Sequence, residues 1–268
     1  MKDQELRFTG SVPEKYERLM VPLIFRPYAE ELARRARELQ PRRILETAAG
    51  TGAVTRALHL ALPDAEIVAT DLNQPMLDVN AAQIASDRVQ FVEADAQQLP
   101  FDDGSFDLVV CQFGAMFFPD KVRGHSEARR VLRDDGSYLL AIWDAIERNP
   151  LTAVTQQVLI DAFPNDPPLF MREGPFGYAD PVRIESDLHQ AGFDTVEIDT
   201  VERRSRSPSA HDAASALCHG TPMGVEIGER EPGSLERIFP LVERALRQFE
   251  GADGIDEPMS AHIVTATR

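Results

Sequence analysis

The chain has 268 residues, 43% of them hydrophobic and 27% charged, which is enough to build one sizeable α/β domain with a substantial core. A formal net charge of -16 works against phosphate backbones and anionic membrane surfaces, so nucleic acid is not the expected substrate. Cys111 and Cys218 stand in no metal-type spacing and no stretch approaches the roughly 18 apolar residues of a spanning helix, so a cytoplasmic protein without stable membrane insertion is expected.

In chain order, residues 13–20 and 27–39 are predicted amphipathic helices, the second with Leu32, Ala36 and Leu39 at helical spacing and Pro41 ending it. Strict alternation follows: strand 44–48, helix 53–62, strand 66–72, helix 75–85 with Asn73 as N-cap, strands 89–95 and 106–113, helix 121–132 and strand 137–143. Strands alternating with helices argue for a parallel sheet wound by right-handed crossovers. Beyond Asn149 come a helix over 151–162, the Pro-rich loop NDPPLFMREGPFGYADP, a helix from Asp180 through Gln190 stopped at Gly192, and a strand over 195–203. Arg203, Arg204 and Arg206 read as the solvated end of that strand.

The last strand is expected over 260–267, so about fifty residues, 206–257, separate it from its predecessor. Within them Leu235, Ile238, Phe239, Val242, Ala245, Leu246 and Phe249 share one helical face. This insertion is read as a helical cap over the carboxyl edge of the sheet, the alternative being a decoration away from the site.

The strongest local signal is RRILETAAGTGAVTRAL at 42–58, a buried strand running into a Gly-rich turn that opens a helix. Small residues there let backbone approach a ligand closely, and the helix N-terminus offers free N–H groups. Two features turn the reading away from a dinucleotide: Ala48 stands at the first glycine position, and no last glycine follows Gly52. Glu46 at the strand end would repel a pyrophosphate but can organise a cationic amino acid head group, which S-adenosylmethionine carries beside its sulfonium. Asp71 ends the next strand 19 positions after Gly52, the distance at which an acid accepts both ribose hydroxyls. The third strand leads to Asp95. An adenine placed there would meet the Asp95 carboxylate and the Ala96 N–H, with Leu72 and Met76 walling its faces.

Together, ILETAAGTG, ATDLNQPML, VEADAQQLPFDDGSFDLVV and ARRVLRDDGSYLLAIWD resemble the successive motifs of class I S-adenosylmethionine-dependent methyltransferases. The likeness is strongest to the branch that includes ubiquinone and menaquinone biosynthesis and small-molecule methyltransferases, over roughly residues 10–145. The resemblance implies a Rossmann-like doubly wound seven-stranded sheet of order 3-2-1-4-5-7-6 with the last strand antiparallel, in a single domain over 1–268. It implies that Glu46, Ala48, Gly50, Thr51 and Gly52 form the turn for the donor's amino acid end. Asp71 is then the ribose ligand, Asp95 and Ala96 the adenine pair, and Gln112 with Phe113 the segment near the methionine moiety. The amino-terminal helices within residues 1–40 resemble a segment that closes over the donor, which makes Tyr16 either a contact to its carboxylate or one apolar-face residue of a short helix.

The expected reaction is direct in-line methyl transfer from S-adenosylmethionine to a small-molecule acceptor at O, N or C, leaving S-adenosylhomocysteine. Positioning and water exclusion can supply most of the catalysis, so no nucleophilic residue is required. A general base, if the acceptor needs one, would come from His219 first, then His211, Tyr178 or His125. Met116, Phe117, Phe118, Met171 and Met223 are candidates to line an apolar acceptor pocket. NDPPLF at 165–170 is similar to the loop by which amino methyltransferases of nucleic acids hold a target nitrogen, but it follows the fifth strand and lacks the aromatic. A nicotinamide-dependent Rossmann oxidoreductase and a non-catalytic S-adenosylmethionine-binding protein are the rival readings.

Overall fold

A computed structural model describes residues 12–268. Residues 1–11, the start of the segment expected to close over the donor, lie outside the described residues.

The chain opens with helix α1 (Val12–Lys15), which passes into wider π-type turns over Tyr16–Phe25 and then helix α2 (Arg26–Leu39). Pro22 lies in the π-type stretch, where it has no N–H to give to a regular ladder. Strand β1 (Arg43–Thr47), helix α3 (Ala53–Ala61), strand β2 (Glu66–Asp71), helix α4 (Gln74–Ala81), and strands β3 (Val89–Glu93) and β4 (Phe106–Gln112) follow in the expected alternation. Helix α5 (Lys121–Val131) begins where the Asp120 side chain accepts the Arg123 N–H at 2.9 Å, and it runs directly into strand β5 (Leu132–Trp143). Next come helices α6 (Pro150–Ala162), α7 (Phe170–Glu173) and α8 (Pro181–Gln190), the last capped by Asp180 with Pro181 at its first position. Strand β6 (Thr195–Ser207), helices α9 (Ala210–His219), α10 (Met223–Arg230) and α11 (Ser234–Leu246), and strands β7 (Glu250–Gly251) and β8 (Gly254–Thr267) complete the chain.

The sheet order is β3-β2-β1-β4-β5-β8-β6, with β1 to β5 pairing in parallel and β8 antiparallel to β5. This is the expected order. The last strand becomes the eighth because β7 makes a two-residue hairpin arm on its start. Three strands are longer than the apolar pattern predicts. β5 begins at Leu132 rather than 137, β6 runs on to Ser207, and β8 starts at Gly254 rather than 260. The added residues are largely polar, as in Arg133–Asp134–Asp135, and a polar run on a strand end carries no hydrophobic period to read.

The chain divides into two compact units. One comprises Arg26–Asp144, Tyr178–Val201 and Ala261–Arg268, and holds β1 to β5. Its central strands are buried on both faces, with Ile44, Leu45, Leu108, Val109, Val110 and Ile142 fully inaccessible, as expected of parallel strands covered by helices. The other unit comprises Ala145–Gly177 and Glu202–Ser260 with residues 12–25. There α9 packs against the π-type stretch and α11 packs against α6 and α9. Of the apolar face predicted between 235 and 249, Ile238, Val242 and Leu246 are buried and the rest are half-buried. Among the described residues no helix is long and apolar enough to cross a membrane.

Candidate donor site

β1 lies between β2 and β4, so the crossover direction reverses beside it, the place where open α/β sheets bind ligands at the carboxyl ends of their strands. The chain leaves β1 through Ala48, Gly50 and Gly52, whose φ angles are 52°, 54° and 92°. Three left-handed residues within five bring the backbone round sharply enough to start α3 at Ala53, with Gly52 as its N-cap. At Gly52 a side chain is also excluded by space, because a Cβ there would lie 1.9 Å from Asn80 Oδ1.

Asp71, at the end of β2, is 7% exposed. Its Oδ2 accepts the Gly50 N–H at 2.8 Å, and its Oδ1 accepts the Asn73 N–H at 2.8 Å and the Asn73 side-chain amide at 3.2 Å. The acid therefore ties the glycine turn to the second strand. Burial raises its pKa, opposed by these same N–H donors. Beside it Leu72 is 63% exposed, a large apolar side chain left facing outward next to a buried acid. Met76 is buried, with its Cε 3.7 Å from where a Gly50 Cβ would stand.

Glu46, on β1, is 2% exposed and its Oε2 accepts the Thr55 hydroxyl proton at 2.6 Å. Burial pushes this carboxyl up to about 8, against the Thr55 hydroxyl and Arg56, which pull it down, while Asp71 adds to the rise. Thr55 in turn accepts the Asn80 amide N–H at 2.8 Å. Thr51 is buried, and its carbonyl accepts an Arg56 N–H at 2.8 Å.

β3 ends at Glu93, two residues short of Asp95, which is exposed and accepts the Gln97 N–H at 2.8 Å. The following loop is tied to α5. Gln97 Oε1 accepts the Asp120 N–H at 2.9 Å, and Glu127 accepts the Leu99 N–H at 2.8 Å while paired with Arg130. Ala96 is half-buried in that turn. At the end of β4, Gln112 is half-buried and Phe113, with φ 52°, stacks on Trp143 at 3.8 Å between ring centroids. The Tyr28 ring meets Phe113 and Trp143 edge-on at 5.4 and 5.6 Å. Gly114 follows, where a Cβ would lie 2.4 Å from the Ala48 Cβ, so the turns after β1 and β4 touch.

Residues 45–140 match the family described as a methyltransferase domain. Over this stretch, which carries the glycine turn, Asp71 and the end of β4, the chain is similar to that domain. The chain is similar to a demethylmenaquinone methyltransferase of Clavibacter sepedonicus, 44% identical over 37% of this chain and 40% of the relative. A demethylmenaquinone methyltransferase of Thermotoga maritima is 32% identical over 52% of this chain and 61% of its own length. The chain spans about half the length of the curated relatives it matches. Among solved structures, the YcgJ protein of Bacillus subtilis superposes with a TM-score of 0.59 at 18% identity, covering 90% of this chain and 99% of that one. The trans-methyltransferase CalH in complex with S-adenosylhomocysteine gives a TM-score of 0.50 at 19% identity, covering 91% of this chain and 55% of that one. At these identities the structural likenesses speak for the fold.

Within residues 45–140 the structure brings Glu46, Ala48, Gly50, Thr51, Gly52, Asp71 and Met76 together through the contacts above. Tyr16 and His219 belong to the other unit: Tyr16 stacks on Phe25 at 5.0 Å, and His219, at the end of α9, lies 5.3 Å from the Phe239 ring. Burial lowers the His219 pKa. His211 is exposed and bonded to Glu243 at 3.0 Å. His125 and Tyr178 are buried: the Tyr178 hydroxyl donates to Asp187 at 2.9 Å and lies 3.4 Å from His125 Nε2. Burial brings His125 down to about 4 and pushes Tyr178 well above the usual tyrosine value. Met116 and Phe118 are buried in the sheet-bearing unit, Phe117 is half-buried there, and Met171 and Met223 are buried in the other.

The NDPPLF loop is held by α10, whose Glu226 carboxylate accepts the Leu169 and Phe170 N–H groups at 3.2 and 2.9 Å. Asn80 was invisible to sequence reasoning. Only its place four residues after Met76 on the predicted helix, which puts it on the same buried face, could have drawn attention to it.

Proposed function

We propose that this chain transfers the methyl group of S-adenosylmethionine to a small-molecule acceptor. The observation that carries the reading is the Gly50 N–H held on the Asp71 carboxylate, which fixes a left-handed glycine turn against an acid at the neighbouring strand end. Asp71 Oδ2, which takes the Gly50 N–H, keeps a second acceptor site, which suits a ribose hydroxyl. The buried Glu46 carboxyl would hold the cationic amino group, and the exposed Leu72 with Met76, Asp95 and Ala96 would hold the adenine. Gln112 and Phe113 would border the methionine end. When bound, the donor supplies an electrophilic methyl carbon on a sulfonium. The chain's own part is to orient that donor and exclude water, which needs no nucleophilic side chain.

The curated relatives named above act on demethylmenaquinone, so an electron-rich quinol ring belongs in the acceptor panel beside phenols and amines. The net charge of -16 disfavours nucleic acid as acceptor, and two buried free cysteines suit a reducing, cytoplasmic setting.

Calorimetry should show S-adenosylhomocysteine binding in preference to NADH, and Asp71→Ala should weaken it more than about tenfold, roughly 1.4 kcal/mol. Binding of NADH instead would favour an oxidoreductase. Donor binding without labelled product from any acceptor in the panel would leave a donor-binding protein.

A further inference from the structure

Asn80 is a wholly buried primary amide on α4, and burying an amide is costly unless its polar atoms are used. One side of it is used: Nδ2 donates to Thr55 Oγ1 at 2.8 Å, and that hydroxyl donates to Glu46 Oε2 at 2.6 Å. The other side, Oδ1, accepts no hydrogen bond among the described residues and occupies the space a Gly52 side chain would need. Asn80 therefore packs against the backbone turn and reaches the acid of the candidate site through Thr55. A leucine would fill the same volume without stranding an acceptor, so packing alone does not account for the amide.

We propose that Asn80 is a positioning residue for the amino acid end of the donor, acting through Thr55 on Glu46. This rests on the reading above that Glu46 faces the donor's cationic amino group. Thr55 has a single hydroxyl proton. A helical threonine tends to donate to the carbonyl four residues back, here Thr51. The Asn80 N–H engages a lone pair of the same oxygen and fixes the hydroxyl so that its proton falls on Glu46. The carboxylate is then held in one orientation and its charged form is favoured within a buried site, where Arg56 also favours it and Asp71 opposes it. Thr55 cannot serve both carbonyl and carboxylate, and Asn80 decides between them.

The test compares Asn80→Leu, Thr55→Val and Thr55→Ser with the parent protein. The readouts are denaturant unfolding, S-adenosylhomocysteine affinity by calorimetry, and the carboxyl 13C titration of Glu46 without ligand. Asn80→Leu is expected to leave stability close to that of the parent, weaken affinity about tenfold and raise the Glu46 titration midpoint. Thr55→Val should do the same to affinity and midpoint, Thr55→Ser should restore both, and the Asn80→Leu, Thr55→Val pair should be no worse than Thr55→Val alone.

An unchanged Glu46 titration in folded Asn80→Leu would overturn the proposal, as would losses that simply add in the double variant. Should Asn80→Leu not fold, an unmoved Glu46 midpoint in Thr55→Val, or the absence of rescue in Thr55→Ser, would overturn it equally. A parent protein that does not bind S-adenosylhomocysteine would instead refute the functional reading, while the ligand-free titration would still report on the Asn80–Thr55–Glu46 link.

Discussion

Replacing Glu46 with glutamine should make the ligand-free protein more stable, and increasingly so as the pH rises. Burial holds the Glu46 carboxyl at about 8 instead of 4.5, so between those values the folded protein keeps a proton that the unfolded chain has released. More protons bound in the folded state means that stability falls as the pH climbs through this window. At about 1.4 kcal/mol for each pH unit, the penalty approaches about 5 kcal/mol by pH 8. Glutamine carries no titrating proton and still accepts the Thr55 hydroxyl.

His125, held down to about 4, contributes an opposite slope between about 4 and 6.5, because there the unfolded chain binds the extra proton. Both proteins share that slope, so the difference between them reports Glu46 together with its coupling to Asp71. Urea unfolding of parent and Glu46→Gln at intervals from pH 5 to pH 8.5 measures it. A stability difference that stays constant over that range would refute the reasoning.

Gly52→Ala should cost about 3 kcal/mol or more, since it joins a φ of 92° to a Cβ placed 1.9 Å from Asn80 Oδ1. Adding Asn80→Ala should return the steric share and leave the backbone share, which denaturation of the single and double variants will show. Ala48→Gly removes a left-handed alanine and should stabilise by up to about 1 kcal/mol. Gly114→Ala should destabilise the parent but be tolerated in the Ala48→Gly background, because the two Cβ atoms compete for one space. Strict additivity of that pair in thermal unfolding would contradict the contact. Tyr178→Phe should lower stability by about 1 kcal/mol by removing one donor to Asp187, which keeps Arg183 at 3.8 Å, with kcat unchanged. A collapse of kcat would place Tyr178 in the chemistry.

The backbone of the candidate site was legible because each of its parts is local. Glu46, Gly50, Gly52 and Asp71 sit at strand ends or in turns, where residue type and spacing state the conformation. Ala48 shows the limit of that reading. As a residue type it gives no sign of a φ of 52°, a conformation the surrounding turn imposes on it. His125 and Tyr178 were open as bases by residue type, and only burial against each other showed a hydrogen-bonded pair closing on Asp187.

By itself the sequence determined the alternation of strands and helices, the glycine turn and the two acids beside it. Hydrophobic period and left-handed glycines are properties of neighbouring residues, so they are written in the chain. The tertiary structure alone decided that Asn80 reaches Thr55 and Thr55 reaches Glu46, across 25 and then 9 positions of sequence. The antiparallel pairing of β8 with β5 was expected from the family resemblance, not from any local pattern. Such links depend on how α4 and α3 are rotated against the sheet and on which strand edge remains open. Those are outcomes of packing the whole core, which no local pattern encodes.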